Sequence, residues 1–177
     1  NMKQEPKYDI TVVIPTFNRR DRLQKAVESV LQEDRVRILL HIFDNASTDG
    51  TEAFVRDLMA RDARVLYSRN AANVGATGNY VLALGSIATS YFVPLADDDW
   101  LLPDFLFDAY RMAEEHPRIG AAVFMTEARN DEGALLATYP LAPEKIRFGL
   151  LQPREHLEDW LRHGHYAWSS ILWRTET

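Results

Sequence analysis

The chain has 177 residues, of which 46% are hydrophobic and 26% charged, the composition of a globular domain rather than of a disordered or fibrous chain. Twenty Lys and Arg against 26 Asp and Glu leave a formal net charge of −6. This argues against a nucleic-acid-binding module, because such modules neutralise phosphates with a basic surface. Since there is no cysteine, disulfides, thiolate catalysis and zinc–thiolate sites are excluded.

Short apolar runs alternate with amphipathic segments from Tyr8 onward, which is the pattern of a layered α/β fold with a mostly parallel sheet. The first strand is predicted over residues 10–15, whose continuous apolar character indicates burial on both faces, and Pro15 is expected to end it. Asp21 is expected to cap the next helix, in which apolar residues recur at helical spacing. A second strand is predicted over residues 36–43.

The later segments continue this alternation. A helix to about Met59, a strand over residues 64–68, a helix over 75–88 and a fourth strand over 91–95 are predicted. Pro103 suits the first turn of a helix that closes near residue 115. A fifth strand is predicted over 120–125, and residues 129–133 are predicted to form a hairpin turn joining segments 121–126 and 134–138.

Polar side chains follow the first, second and fourth predicted strands. Because ligands of open α/β sheets bind outside the carboxyl ends of the strands, these three loops are expected to meet. They contain, in chain order, Thr16, Asn18, Arg19, Asp44, Asn45, Ser47, Asp49, Asp97, Asp98 and Asp99.

The three consecutive carboxylates of residues 97–99 repel one another unless they are solvated, share protons or bind a hard cation. Mg²⁺ or Mn²⁺ held by one or two of them keeps coordination positions for phosphate oxygens, which would let an acidic protein bind a diphosphate and would stabilise a departing one. The alternative is that Asp99 caps a helix beginning near Leu102 while the other two carboxylates are exposed.

Three further residues each admit two interpretations. Asp44 either forms an Asx-turn or helix cap, or accepts an N–H of a nucleobase. Phe17 either belongs to the core or stacks on a base. Arg19 either pairs with phosphate or is a solvated loop cation. His163 and His165 lack a third ligand at suitable spacing, so a surface loop is favoured over a metal site.

The chain lacks the glycine-rich dinucleotide-binding motif, the P-loop motif and the Gly-x-Ser-x-Gly nucleophile elbow. Four segments in order instead resemble family 2 glycosyltransferases of the GT-A fold: residues 13–19 (VIPTFNR), 44–51 (DNASTDGT), 70–75 (NAANVG) and 96–104 (ADDDWLLPD). The resemblance covers residues 8–125 well and the remainder loosely. It implies a GT-A type, Rossmann-like three-layer α/β/α sandwich with a mostly parallel central sheet. It also implies inverting transfer of a sugar from a nucleotide diphosphate donor to an acceptor hydroxyl, assisted by Mn²⁺ or Mg²⁺.

The resemblance also implies roles for individual residues. Phe17 would stack on the base, Asp44 would accept its N–H, and Asp97 would face the ribose or donor sugar. Asp98 would be the direct metal ligand, with Asp99 beside it in a structural or supporting role. The nucleotide-binding set implied by these motifs is Pro15, Thr16, Phe17, Asn18, Arg19, Asp44, Asn73 and Asp97.

The chain departs from the family pattern in two places. Gly78 stands where many members carry an arginine, so a contact on the donor side is expected to be missing. The catalytic base, a carboxylate of a later acidic motif, is not found. Glu155, Glu158 and Asp159 fit the solvated face of an amphipathic helix, and none is assigned as base. Residues 166–174 loosely resemble the strand before that motif, so the chain is expected to be truncated and to bind donor without turnover.

These inferences divide the chain into residues 1–7 as a tag or disordered N-terminus, 8–126 as the donor-binding part, and 127–177 as the incomplete start of the acceptor-side part. The expected partners are a nucleotide diphosphate sugar, with a UDP-sugar favoured, and a glycan or glycolipid acceptor, with no nucleic acid. Two alternatives remain open: a sugar nucleotidyltransferase, although the glycine-rich first loop of that class is missing, and a non-catalytic nucleotide- or glycan-binding module.

The sequence also supports an expectation about location. No stretch approaches the ~20 apolar residues of a membrane-spanning helix, and the first residues contain no apolar signal region. We therefore expect a cytoplasmic protein with at most peripheral membrane contact, at the inner face of the membrane.

Overall fold

The computed structural model describes residues 7–130, 132–139, 149 and 168–175. The elements are β1 (Ile10–Thr16), α1 (Arg20–Leu31), β2 (Ile38–Asp44), α2 (Thr51–Arg61), β3 (Val65–Arg69), α3 (Gly75–Gly85), β4 (Tyr91–Pro94), α4 (Phe105–Glu115), β5 (Ala121–Val123), β6 (Thr126–Arg129), β7 (Leu135–Tyr139) and β8 (Ile171–Arg174), with a 3-10 turn (Trp168–Ser170) directly before β8.

The main sheet has six strands in the order β3-β2-β1-β4-β8-β5. Strands β1 to β4 are mutually parallel, and β8 runs antiparallel to both of its neighbours. This confirms the predicted α/β class with a mostly parallel sheet. The register pairs Thr16 with Asp44, so β1 and β2 end at the same level and deliver their following loops to one edge.

Both faces of the sheet are covered, as the continuous apolar pattern of β1 predicts. Val13 and Phe43 pack on one face with Ala83 of α3. Val12 and Ile14 point to the other face, where Leu23 of α1 and apolar side chains of α2 and α4 complete the larger core. The result is the expected three-layer sandwich.

Strand β8 falls within residues 166–174, which resemble a family strand, but its place in the sheet is not predicted from the sequence. It inserts between β4 and β5, pairing Phe92 with Trp173 on one side and Ala122 with Leu172 on the other. Where a strand is predicted over residues 120–125, the structure has the three-residue strand β5 (Ala121–Val123). The predicted hairpin is correct in its turn but not in its first arm, because β6 rather than β5 pairs with β7.

Several predicted element ends are wrong, including the following three. Strand β1 continues past Pro15 to Thr16, whose carbonyl still accepts the Asn45 amide at 2.9 Å. Helix α1 begins at Arg20, before the expected cap Asp21, and its first amide donates instead to Oδ2 of Asp49 at 2.9 Å. Helix α4 begins at Phe105, two residues after Pro103.

Among the described residues, no helix is both long and apolar enough to cross a bilayer.

Candidate functional site

Three loops meet at the carboxyl ends of β1, β2 and β4, as the strand pattern predicts. They are the first loop (residues 16–19), the base-side loop (residues 44–50) and the acidic loop (residues 96–99). The Thr16 hydroxyl donates to Oδ2 of Asp97 at 2.8 Å, which joins the first and acidic loops. The Asn18 amide donates to Oγ of Ser47 at 2.9 Å, and Oδ1 of Asn18 accepts the Thr48 amide at 2.7 Å. These bonds make the three loops one polar surface.

Asp49 organises the entry to two helices beside this surface. Its carboxylate accepts the Arg20 amide at the start of α1 and the Thr51 amide and hydroxyl at the start of α2. Burial opposes the charged form, but these hydrogen bonds prevail and lower the pKa of Asp49 below its usual value. One carboxylate therefore caps two helices, at the positive end of each helix dipole.

Arg19 and Arg22 pair with carboxylates of the acidic loop. One guanidinium nitrogen of Arg19 donates to Oδ1 of Asp97 at 3.1 Å and to Oδ2 of Asp98 at 3.0 Å. The charge of Asp97, followed by that of Asp98, raises the pKa of Arg19. Arg22 approaches the same Asp98 oxygen at 3.6 Å. The Asp97 side chain is buried and that of Asp98 is 35% exposed, so Asp98 is the carboxylate that solvent and ligands can reach.

The third carboxylate, Asp99, accepts a hydrogen bond from Ser169, which lies 70 residues later in the sequence. The Ser169 hydroxyl, just before β8, donates to Oδ2 of Asp99 at 2.5 Å and accepts the Ala96 amide at 3.4 Å. Burial raises the pKa of Asp99, with the Ser169 hydrogen bond opposing the shift and the charges of Asp98 and Asp97 adding to it. The alternative in which Asp99 caps α4 is wrong, because α4 begins six residues later.

Helix α1 lies along the acidic loop and its continuation. Arg19 directly precedes α1, and Arg22 and Lys25 are three residues apart within it and therefore share one side of the helix. The Arg19 and Arg22 guanidinium groups contact the carboxylates, and the Lys25 ammonium lies 3.3 Å from the centre of the Trp100 ring. One turn further along, the Ser29 hydroxyl accepts the Leu101 amide at 3.0 Å. Of these residues, only Arg19 is predicted as a site residue from the sequence.

Asp44 lies at the bottom of the base-side loop with no exposed side-chain surface. Its Oδ1 accepts the Ser47 amide at 2.8 Å, which is the Asx-type turn that the sequence left open. Its Oδ2 accepts the Tyr67 hydroxyl at 2.6 Å and lies 3.3 Å from Nε of Arg69. Burial and the Asp44 contact raise the pKa of Tyr67. A nucleobase N–H would reach this carboxylate by displacing one of these two donors.

Phe17 and Pro15 differ sharply in accessibility. Phe17 is 41% exposed, so it is not a core residue and part of its surface is accessible to a ligand. Pro15 is buried within β1, opposite Phe43. Of the two, Phe17 is the side chain that can touch a ligand directly.

An asparagine network holds the residue 70–75 segment against the base-side loop. Oδ1 of Asn45 accepts from Asn70 at 3.0 Å and from the Val74 amide at 2.9 Å, while its amide group donates to Asn73 at 2.8 Å. Asn70 also donates to Asn79, whose own amide group donates to the Phe43 carbonyl at 2.8 Å. Asn73 thus contacts the site through Asn45. The sequence signal for this network was four asparagines in or beside the motif segments, but their partners were not inferable.

Tyr80 on α3 also faces the acidic loop. Burial raises the pKa of its hydroxyl, and the negative charges of Asp97, Asp99 and Asp98 raise it further. Gly78, two residues earlier, leaves little room for a larger residue, since a Cβ there would lie 3.1 Å from Cγ2 of Val74.

The donor set of the acidic loop fits a cation held jointly with a ligand. No group of three or more acidic or histidine side chains converges on one point within the described ranges. Asp98 supplies an accessible carboxylate and Asp99 follows it. Mg²⁺ and Mn²⁺ sites of one or two carboxylates completed by phosphate oxygens have this composition. Glu155, Glu158, Asp159, His163 and His165 lie outside the residues that the structure describes.

The family model described as "Glycosyl transferase family 2" matches residues 11–171. Among curated proteins, the chain is 32% identical over 107 residues to a Campylobacter jejuni GalNAc(5)-diNAcBac-PP-undecaprenol beta-1,3-glucosyltransferase. That match covers 60% of this chain and 35% of the relative, so the chain spans about a third of that protein's length.

Two solved structures share the fold. Staphylococcus aureus TarS 1–349 in complex with UDP-GlcNAc matches with a TM-score of 0.72 and 17% identity, over 94% of this chain and 45% of TarS. The Pyrobaculum calidifontis mannosyltransferase PcManGT, in complex with GDP-Man and Mn²⁺, matches with a TM-score of 0.58 and 21% identity, over 71% of this chain and 37% of that protein. Both are glycosyltransferases of the GT-A type, which confirms the predicted fold.

Proposed function

The chain belongs to glycosyl transferase family 2, and we propose that it binds a nucleotide diphosphate sugar, preferentially a UDP-sugar, for inverting transfer of the sugar to an acceptor hydroxyl. The observation that carries this proposal is the junction of the first, base-side and acidic loops, made by the Thr16–Asp97 and Asn18–Ser47 hydrogen bonds. At that junction the exposed Phe17 ring lies beside the polar loops and the accessible Asp98 carboxylate. The ring suits a base, the polar loops suit a ribose, and the carboxylate suits a metal-bound diphosphate.

The nucleoside would lie over the first and base-side loops. Phe17 offers a stacking face, and stacking suits any base because every base has a π-face. Thr16 and Asn18 hold the loop backbone in place beneath it. Asp44 would take the base N–H in exchange for a donor that it now binds, and Asn73 would act through Asn45.

The diphosphate and donor sugar would lie along the acidic loop. Asp97, fixed by Thr16 and Arg19, would face the ribose or the sugar, and Asp98 would hold Mn²⁺ or Mg²⁺ with Asp99 in support. When bound, such a cation neutralises the charge that develops on the departing diphosphate. Arg19 offers a guanidinium for phosphate oxygens at the same place. The occurrence of Mn²⁺ with GDP-Man in the mannosyltransferase supports this arrangement.

Inverting transfer also needs a base that takes the proton of the acceptor hydroxyl. We assign no described carboxylate to this role, because Asp97, Asp98 and Asp99 lie on the donor side. The acceptor is proposed to be a glycan or a glycolipid. The undecaprenol-linked substrate named for the Campylobacter relative supports a lipid-linked acceptor. The proposed site of action is the inner face of the membrane.

The test is calorimetric titration of UDP, GDP and dTDP into the protein with and without Mn²⁺, repeated on Asp98→Asn. We expect UDP to bind with Mn²⁺ and to lose at least tenfold in affinity on this substitution. Asp108→Asn, an exposed carboxylate of α4 paired with Arg111, is the control and is expected to bind UDP normally.

Other outcomes would separate the alternatives. Tighter binding of GDP or dTDP would change the base assignment only. Tighter binding of UTP together with a sugar phosphate would favour a nucleotidyltransferase. Failure of every nucleotide with Mn²⁺ would contradict the proposal.

A further inference from the structure

Two arginines share one oxygen of the carboxylate proposed to bind the metal. Arg19 donates to Oδ2 of Asp98 at 3.0 Å, and a guanidinium nitrogen of Arg22 lies 3.6 Å from the same atom. Arg19 is also anchored to Asp97 at 3.1 Å. The side chain of Arg22 is 61% exposed and its ion pair is with Asp98. The two arginines therefore differ in how firmly they are held.

A divalent cation on Asp98 would compete with these guanidinium groups, because three positive groups around one carboxylate repel one another. The weaker contact is expected to yield. An exposed ion pair at 3.6 Å contributes little, since solvent and salt screen it and the long side chain loses freedom. Arg22 is thus the group that would leave if a cation bound Asp98, and Arg19 would keep its second anchor on Asp97.

Once released, the Arg22 guanidinium would lie close to the phosphate oxygens of a metal-bound diphosphate. Two oxygens bound to the same Mg²⁺ or Mn²⁺ lie about 3–4 Å apart, because each metal–oxygen distance is about 2.1 Å. A group that starts beside the Asp98 oxygen is therefore already next to any phosphate oxygen on the same cation. Arg22 also lines a cleft of about 240 Å³ shared with Asn18, Arg19 and Asp49. A guanidinium fork suits phosphate, which it can bind through two parallel hydrogen bonds.

We propose that Arg22 is a diphosphate-binding residue of the donor site, which rests on Asp98 until a divalent cation replaces it and then transfers to the donor diphosphate. This inference depends on the proposed function, since it assumes a nucleotide diphosphate and a metal on Asp98. It adds a substrate contact from α1. The exchange keeps the local charge balanced, because the cation takes over the neutralisation of Asp98 while Arg22 neutralises phosphate.

The proposal predicts effects of opposite sign for the metal and the nucleotide. In Arg22→Ala, Mn²⁺ alone, measured by electron paramagnetic resonance of the free ion, should bind about two- to fivefold more tightly, because one competing cation is gone. UDP in the presence of Mn²⁺, measured by calorimetry, should bind about tenfold more weakly. Arg22→Lys, which keeps the charge but not the fork, should lie between. A purely structural role would weaken both kinds of binding together.

The matched control is Arg111→Ala, which removes an equally exposed arginine paired with Glu115 on α4 and should change neither affinity. Suppose that the wild type binds both Mn²⁺ and UDP. If Arg22→Ala then binds Mn²⁺ no more tightly than the wild type, the inference about Arg22 is wrong and the proposed function still holds. If the wild type binds neither Mn²⁺ nor UDP or GDP, both fall together.

Discussion

The hydroxyl of Ser169 lies 2.5 Å from Oδ2 of Asp99, across 70 residues of sequence. Ser169 lies in the 3-10 turn directly before β8, which runs antiparallel to β4, and the acidic loop leaves the carboxyl end of β4. The turn that leads into β8 therefore holds the loop proposed to bind the donor. Because Ser169 also accepts the Ala96 amide, it restrains both the backbone and a side chain of this loop.

Replacing Ser169 tests the hydrogen bond between its hydroxyl and Asp99. Ser169→Ala leaves the carboxylate of Asp99 without its donor, which should lower the free energy of unfolding by about 1–3 kcal/mol. Mn²⁺-dependent UDP affinity should fall several-fold, since the acidic loop is less restrained. Ser169→Thr keeps the hydroxyl and should restore most of the affinity. Denaturant unfolding and calorimetry measure the two effects.

The control for this prediction is Ser86→Ala. The Ser86 hydroxyl donates to the Ala83 carbonyl at the carboxyl end of α3, and it makes no hydrogen bond with the acidic loop in the described residues. Ser86→Ala should leave UDP affinity unchanged. Equal UDP affinity for Ser169→Ala and wild type would show that β8 does not position the acidic loop for ligand binding.

The exposed ring of Phe17 is expected to contribute to UDP binding by stacking on the base. Phe17→Ala should weaken UDP binding by about 1–3 kcal/mol, the contribution of one base–aromatic stack. Phe17→Trp should retain binding. Stability should change little, because the ring is 41% exposed. Leu102→Ala, a similarly exposed apolar residue before α4, is the control in the same titration. If the alanine variant at residue 17 binds UDP as the wild type does, the ring lies outside the nucleotide site.

His41 of β2 predicts a pH dependence of stability. Burial lowers its pKa to about 4, against about 6.5 in an unfolded chain, so protonation favours unfolding. Its contribution is complete above about pH 6.5 and falls as the pH drops toward 4. We expect a loss of about 1–2 kcal/mol between pH 7 and pH 5. His41→Gln, which can still contact the Ser68 hydroxyl, should remove that part of the pH slope in urea unfolding, whereas His116→Gln should not.

Two glycines of α3 predict opposite effects of the same substitution. At Gly85 a Cβ would meet nothing within 4 Å, and φ is not positive, so Gly85→Ala should stabilise the protein by about 0.5–1 kcal/mol. Gly75 has a φ of +79°, where an L side chain is strained, so Gly75→Ala should destabilise by about 1–2 kcal/mol. Thermal unfolding of both variants tests the pair, and a shift in the same direction for both would contradict it.

Much of this architecture is legible in the sequence. The continuous apolar runs predict strands β1, β2 and β4, and the parallel α/β pattern places their following loops at one edge. The reason is that burial on two faces and the period of a helix are local properties of a sequence. The positions of Thr16, Asn18, Asp44 and Asp97 around one junction follow from that pattern alone.

Tertiary structure decided which side chains are partners. Asp49 caps α1 in place of Asp21, Ser169 binds Asp99, and β8 separates β4 from β5. These contacts join residues that are 29 or more positions apart, so they depend on strand register and sheet order, which no local pattern encodes. Composition and periodicity thus determined the layers and the polar edge, whereas long-range pairing determined the hydrogen bonds and charges that shape it.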